Sequence, residues 1–452
     1  MKQWNAQRVA SAAGASLIVA PEDAGGPERA IVDSRQAGPG DLFVGLPGAS
    51  ADGGEFAAPA LAAGAWGVLV RPEYAEVAAA AHSGVVLGAD DPLASLQALA
   101  TAWRRQLGAR TIGVTGSTGK TSTKDLLSAL LTPHRRTVAS RANFNTEIGL
   151  PLEILAAPAE TEVLVLEMGM RGSGQIADLA AIAEPDVGLI VSIGPVHLEL
   201  LGSIEAIAAA KAELIAALPG GGTAIVPAGE RLLEPHLRSD IHTITFGDGG
   251  DVRMLAGHGE QVVIEAQGER IALEVPFTQA HLRSNLLAAV AAARAVGVQP
   301  SGRVDLVLSP GRGDRMSLPG GVTVIDDCYN ANPMSMRAAL TDLADTAARA
   351  GGLRRIAVLG DMLELGERER DYHAELAGAA GAAEVDVLVT VGPLAAAIGE
   401  GFDGEAHAVS DAAQAATIVP ELLREGDVVL VKASRGVGLE LVCAALGARA
   451  TA

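Results

Sequence analysis

The chain has 452 residues, of which 49% are hydrophobic but only 3% aromatic, and its formal net charge is −20. At about 150 residues per domain this length points to three domains, with cores of Ala, Val, Leu and Ile that need no staples. So large an excess of acid argues against nucleic acid, whose non-specific binding rests on Lys and Arg neutralising phosphates. Anionic ligands must instead be met by helix N-termini, a few basic side chains and metal ions. Two cysteines, Cys328 and Cys443, give neither a CxxC pairing nor a disulfide framework. The opening residues 1–6 lack an apolar signal core. The uncharged run 56–70 is broken by Pro59, Gly64 and Gly67 and is too short to span a bilayer. The expectation is a soluble cytoplasmic protein that binds no nucleic acid and inserts into no membrane.

An N-terminal region carries Asp33-Ser34-Arg35 and Pro39-Gly40-Asp41-Leu42-Phe43, and closes at Gly88-Ala89-Asp90-Asp91-Pro92, ahead of a helix over 93–107. Beyond it, Val/Ile/Leu runs at 111–114, 163–167, 187–193, 223–226, 322–326, 356–359, 385–391 and 428–432 alternate with Ala-rich helical stretches. Continuous apolar runs of this kind read as parallel strands buried on both faces. The fold class is therefore α/β and doubly wound, with sites at the C-terminal ends of the strands. Between 243 and 275 the pattern changes to short antiparallel strands, read as a small β insertion. The turn-rich Ser309-Pro310-Gly311-Arg312-Gly313 separates the middle of the chain from its last third.

The sharpest motif is Thr115-Gly116-Ser117-Thr118-Gly119-Lys120-Thr121-Ser122, between the strand at 111–114 and a helix over 125–131. Glycines let backbone N–H groups curl round phosphate oxygens, Lys120 supplies a point charge, and Thr121 offers a hydroxyl to Mg²⁺. Glu167 ends a buried strand, where a carboxylate suits either a cation or a structural cap or ion pair. His197 follows the next strand and fits a metal ligand or a satisfied structural histidine equally well. Lys211, inside an Ala-rich helix with Glu205 and Glu213 nearby, reads on its own as a surface lysine. Lys432-Ala433-Ser434-Arg435 follows a strand, a place for an anionic substrate or for a solvated turn.

Further segments follow in order: Asn143-Phe144-Asn145-Thr146-Glu147, Glu167-Met168-Gly169, His197-Leu198-Glu199, Asp326-Asp327-Cys328-Tyr329-Asn330-Ala331-Asn332-Pro333 and Gly360-Asp361-Met362-Leu363-Glu364-Leu365-Gly366. This succession resembles the Mur ligases over nearly the whole chain. The resemblance implies three domains: a small uridine-nucleotide domain at 1–88, a P-loop ATPase domain at 89–311 and a Rossmann-like domain at 312–452. It implies ATP and two Mg²⁺ ions as cofactors, and joining of D-alanyl-D-alanine to UDP-N-acetylmuramoyl-tripeptide by a monomer.

The same likeness assigns Lys120, Glu167, His197 and Lys211 to catalysis, with Lys211 carbamylated and a metal ligand beside Thr121, Glu167 and His197. ATP would be held by Gly116, Ser117, Thr118, Gly119, Lys120, Thr121, Ser122, Asn285, Arg312 and Asp327, with His281 near the base. Substrate would meet Ser34, Arg35, Asn143, Asn145, Asn330, Asn332, Lys432, Ser434 and Arg435. Three positions depart from the family's pattern: Leu282 and Thr146 stand where Asn is usual, and Ala433 where Gly is usual. The expected chemistry is phosphorylation of a carboxylate to an acyl phosphate, which an amine then attacks. Arg312, Asp327 and Lys432 are expected to act only after domain closure. Alternatives are a third-residue ligase, a folylpolyglutamate synthetase, a P-loop switch ATPase or a non-catalytic nucleotide-binding scaffold.

Overall fold

The computed structural model describes residues 1–80, 83–141, 143–351 and 353–451. Among them three sheets form. The first holds Ser16–Val19, Val85–Gly88, Gly67–Val70, Asp41–Val44 and Arg29–Ile31 in that order, all parallel except the edge strand Ser16–Val19. Helix Pro92–Leu107 leads out of it. Asp91 caps that helix by accepting from Leu93 and Ala94 N–H, both at 3.0 Å, and Pro92 sits in the first turn where no partner for its nitrogen is needed.

The buried face of this helix, Leu96, Leu99, Ala100 and Trp103, belongs to one apolar cluster running from Met1 and Trp4 through Leu42 and Leu87 to Leu164 and Leu214. Trp4 meets Trp103 edge to face at 5.4 Å, and Trp103 donates its indole N–H to Ala157 O at 3.0 Å. The first two sheets thus share a core.

The second sheet runs from Gly302–Arg303 through Glu269–Glu274, Gln261–Ala266, Val252–His258, His242–Phe246, Thr223–Pro227, Val187–Ile190, Arg110–Thr115 and Val163–Glu167 to Thr137–Ala139. Strand Arg110–Thr115 lies between Val187–Ile190 and Val163–Glu167, parallel to both, so the C-terminal ends of three strands open side by side. The segment expected to be a small insertion is a continuation of this sheet. His242–Phe246 pairs parallel with Thr223–Pro227, and the antiparallel strands then extend the same surface. Ile264, Ile271 and Leu273 bury their side chains with Leu126, Leu130 and helix Ala280–Ala295, so the meander cannot stand apart.

The third sheet is Asp314–Ser317, Thr323–Asp326, Val428–Lys432, Arg355–Gly360, Val387–Val391 and Glu405–Val409, parallel after its first, antiparallel edge. Its two faces bury separate clusters, one around Leu340, Leu359 and Leu388 and one around Val324, Val429 and Leu446. No apolar cluster among the described residues joins this C-terminal lobe to the rest.

Candidate active site

The loop after Arg110–Thr115 is held from the neighbouring strand end. Ser117 N–H donates to Ser192 O at 2.9 Å, Thr118 N–H donates to Ser192 Oγ at 2.9 Å, and Ser117 Oγ donates to Gly194 O at 3.0 Å. Gly119 begins helix Lys120–Leu131 with φ +78°, and a Cβ there would lie 2.7 Å from Asn285 Oδ1, so only glycine fits. Lys120 Nζ curls back to Gly116 O at 2.7 Å. Burial lowers its pKa; Glu167 opposes that shift and Arg312 adds to it. Ser122 is half-buried beside these residues.

Glu167 is 2% exposed and has no ion-pair partner among the described residues. Its two oxygens accept from Thr121 Oγ1 and Asn145 Nδ2, each at 2.9 Å, and its backbone N–H donates to Ser140 Oγ at 3.0 Å. Lys211 corrects the surface reading: it is 2% exposed and has no hydrogen-bond or ion-pair partner among the described residues. Helix Ile204–Ala216 buries Ile207, Ala208, Ala210, Ala212, Leu214 and Ile215, so Lys211 lies on an enclosed face. Burial pushes its pKa far down and the charge of Lys120 adds to this, favouring a neutral amine. Glu213 is not its partner; it accepts from Gly174 N–H at 2.7 Å and Ala177 N–H at 3.0 Å. His197 Nδ1 is hydrogen-bonded to Glu364 of the C-terminal lobe. Burial lowers the His197 pKa, Glu364 raises it, and Lys120 and Lys211 lower it further, so the three basic groups sense one another.

The C-terminal lobe meets the loop through Arg312. Arg312 Nη2 donates to Thr121 Oγ1 at 3.1 Å while its guanidinium lies 3.9 Å above the Tyr329 ring. The linker is pinned one step earlier, where Asp125 accepts from Ser309 N–H at 2.8 Å and Ser309 Oγ at 3.2 Å. Asp125 also pairs with Lys124 at 2.7 Å, and Lys124 donates to Ser140 O at 2.8 Å. Contacts therefore run from Arg312 through Thr121, Glu167, Ser140, Lys124 and Asp125 to Ser309, and the chain between Ser309 and Arg312 closes the ring. Sequence reasoning missed Ser140, Ser192, Lys124, Asp125 and Glu364. Adjacent opposite charges entering an apolar helix were the available signal for Lys124 and Asp125.

Several expected ligand residues are committed to the fold. Asn332 caps helix Pro333–Arg349, accepting from Ser335 N–H at 2.9 Å, and Ser434 Oγ accepts from Leu363 N–H at 2.9 Å. Lys432 is 2% exposed and donates to Asp327 Oδ2 at 2.6 Å and Asn330 O at 2.9 Å, so it is a buried ion pair and not a free cation. Asn330 and Arg435 remain exposed, with Arg435 5.5 Å over the Tyr329 ring. Asn143 is exposed, and Thr146 Oγ1 accepts from Gly149 N–H at 3.3 Å, a helix-capping role. His281 lines a small cleft with Gln279, Thr341 and Asp342 between the second sheet's helix and the lobe. Ser34 and Arg35 lie in a short helical turn, Ser34–Gln36, just after strand Arg29–Ile31 of the first sheet, and Arg35 pairs with Asp33 at 2.8 Å. Among the described residues no hydrogen bond or ion pair links them to the loop.

The donor set fits a metal-bound nucleotide. The Nε of Arg312 is buried without a hydrogen-bond partner, Glu167 is buried with no ion pair among the described residues, and the loop backbone opens at a helix N-terminus. Together with the strand–loop–helix frame, this defines a phosphate-loop nucleotide site completed by an arginine from a second lobe. Residues 114–293 match the family description "Mur ligase middle domain", and residues 311–435 match "Mur ligase, glutamate ligase domain". The UDP-N-acetylmuramoyl-tripeptide–D-alanyl-D-alanine ligase of Synechocystis sp. is 38% identical over 92% of this chain and 90% of its own length. The Bacillus subtilis enzyme of the same name is 36% identical over 90% of each chain. A MurF crystal structure from Acinetobacter baumannii overlays with a TM-score of 0.85 at 29% identity, covering 98% of both chains. A MurF ligase from Thermotoga maritima in complex with ADP gives 0.80 at 29%, over 94% of this chain and 98% of that one. The chain belongs to the Mur ligase family.

Proposed function

We propose that the chain is an ATP-dependent ligase that joins D-alanyl-D-alanine to the terminal carboxylate of UDP-N-acetylmuramoyl-tripeptide, a step of peptidoglycan precursor synthesis. The observation that carries the reading is Arg312 of the C-terminal lobe resting on Thr121 while Thr121 itself donates to the Glu167 carboxylate. The names of the relatives agree with it over nine-tenths of the chain. The proposed division is a uridine-nucleotide unit at 1–88, an ATP unit at 89–311 and a dipeptide unit at 312–452. No described helix is long and apolar enough to cross a membrane, and the reading has the chain act as a monomer in the cytoplasm.

In this reading the loop amides of 116–122 and Lys120 hold the β- and γ-phosphates, with Asn285 and His281 toward the base and the Asp327–Lys432 pair toward the ribose. Two magnesium ions would be held by Thr121 with Glu167 and by His197 with carbamylated Lys211. When bound, they neutralise the γ-phosphate and the acceptor carboxylate, two anions that repel. Lys211 suits that modification because a neutral, buried amine keeps the lone pair that carbon dioxide needs. Arg312 stabilises charge on the transferring phosphoryl group, and the docked lobe keeps water from the acyl phosphate. The amine then adds to the acyl carbon and phosphate leaves.

The deciding experiment incubates protein, ATP, Mg²⁺ and the UDP-linked tripeptide with D-alanyl-D-alanine or with single amino acids, and reads products by mass spectrometry. The expected result is one pentapeptide product with ADP and phosphate. ATP turnover without acceptor, or joining of single amino acids only, overturns the reading.

A further inference from the structure

One carboxylate at the lobe junction has no part in that phosphoryl and acyl transfer. Glu364 comes from the C-terminal lobe, yet its side chain reaches across: one oxygen is hydrogen-bonded to His197 Nδ1 and the other lies 3.6 Å from Arg171 Nε. Its backbone carbonyl accepts from Glu199 N–H at 3.4 Å. Both partners sit in left-handed backbone, with φ +64° at Glu364 and +54° at His197. Non-glycine residues hold that conformation only at a cost in backbone strain, and such strain gathers where a side chain must be aimed. Gly366 has φ +69°, and a Cβ there would lie 3.2 Å from the Glu199 backbone, so the segment lies directly on the His197 turn. Within the lobe the same segment is pinned twice: Met362 N–H donates to His373 Nε2 at 2.8 Å and Leu363 N–H to Ser434 Oγ at 2.9 Å.

A carboxylate can only accept, so the ring proton of His197 lies on Nδ1 and the lone pair of the neutral ring is left on Nε2. Histidines that bind metals generally give their other N–H to a carboxylate or carbonyl, which fixes the tautomer and ring orientation and makes the ligating nitrogen more basic. We propose that Glu364 is a positioning residue: on docking of the C-terminal lobe it orients His197 so that Nε2 is presented to a divalent cation. The second cation site is then complete only in the docked state, and cation affinity and lobe docking strengthen each other. This inference rests on the reading of His197 as a cation ligand.

Mn²⁺ serves as the probe, titrated into the full chain with a non-hydrolysable ATP analogue and followed by electron paramagnetic resonance of the free ion. The native chain should bind two ions. Glu364→Ala should weaken the second by about 10–100-fold, the usual effect of removing such a partner, and leave the first unchanged. Glu364→Gln keeps an acceptor for Nδ1–H and should retain the second ion to within about tenfold. It also keeps the test alive if the alanine variant does not fold. Nitrogen-15 spectra, assigned with His197→Ala, should show a single Nδ1–H tautomer in the native protein and a mixture in Glu364→Ala. Native affinity for both ions in Glu364→Ala, with one ion lost in His197→Ala, overturns the positioning role alone. Retention of both ions in His197→Ala overturns the ligand reading beneath it.

Discussion

The two junctions in this chain are built on opposite principles. Near residue 88 a single apolar cluster runs from Met1, Trp4 and Leu87 into Leu99, Trp103 and Leu164, welding the first sheet to the second. Near residue 311 the apolar clusters stop on either side, and what crosses is Arg312 to Thr121, Ser309 to Asp125, Glu364 to His197 and Arg171, and Met334 seated on Gly194. Apolar burial is non-directional and costly to undo. Hydrogen bonds and ion pairs at a half-wet boundary exchange with water at little net change. The first junction is therefore fixed, while the second, where Arg312 meets Thr121 and Glu364 meets His197, is held by contacts that water can replace.

The largest effect should come from attacking the weld. Trp103→Ala should lower unfolding free energy by about 3–5 kcal/mol, measured by denaturant titration, with kcat unchanged on the folded fraction. A large kcat loss with little loss of stability would break the comparison. Next, Arg312→Ala should cut kcat by about 10²–10³-fold with unfolding free energy nearly unchanged, as expected when a charge-stabilising donor is lost. Asp125→Asn keeps the shape of the linker anchor but loosens its hold on Ser309. Steady-state kinetics should show about a tenfold fall in kcat with a smaller change in the KM for ATP, and scattering should show a wider average shape.

The smallest effect concerns pH. His373 is fully buried, accepting from Met362 N–H through Nε2 and bonded through Nδ1 to Glu369 O at 2.6 Å, and burial lowers its pKa from the usual 6.5. Below that value the unfolded chain takes up a proton that the folded chain refuses. The contribution is therefore present above about pH 6.5 and is lost as pH falls toward the lowered value. Across that window the His373 contribution should fall by at most about 1.4 kcal/mol for each pH unit, the slope of a single proton. Thermal unfolding between about pH 5 and 7 should show this decline, and His373→Gln should make it shallower.

How much of this was legible follows from what each feature depends on. Strands Val163–Glu167 and Val428–Lys432 match the apolar runs to the residue because continuous β-branched and leucine runs fix a buried parallel strand locally. The phosphate loop was legible for the same reason: Gly119 and Lys120 carry their geometry in the chain itself. Pairing of His242–Phe246 with Thr223–Pro227 was not, because neighbours in a sheet are chosen by tertiary fit. Lys211 looked like a surface lysine because an Ala-rich helix shows little contrast between its faces. Glu364 lies inside one of the family's motifs, but nothing local tells a carboxylate which lobe it will face. The commitments of Asn332 and Ser434 to capping and to Leu363 likewise emerge only once the turns have closed.

The tryptophans carry a consequence of their own. Trp4, Trp66 and Trp103 all fall in the first quarter of the chain, Trp4 and Trp103 meeting edge to face in the weld and Trp66 donating to Gly25 O at 2.8 Å. Intrinsic indole fluorescence is thus a ready gauge of whether that weld is intact and would not report how the far lobe is docked. A single indole placed at Leu200, 61% exposed on the turn that the Glu364 segment covers, would give that docking its own optical signal.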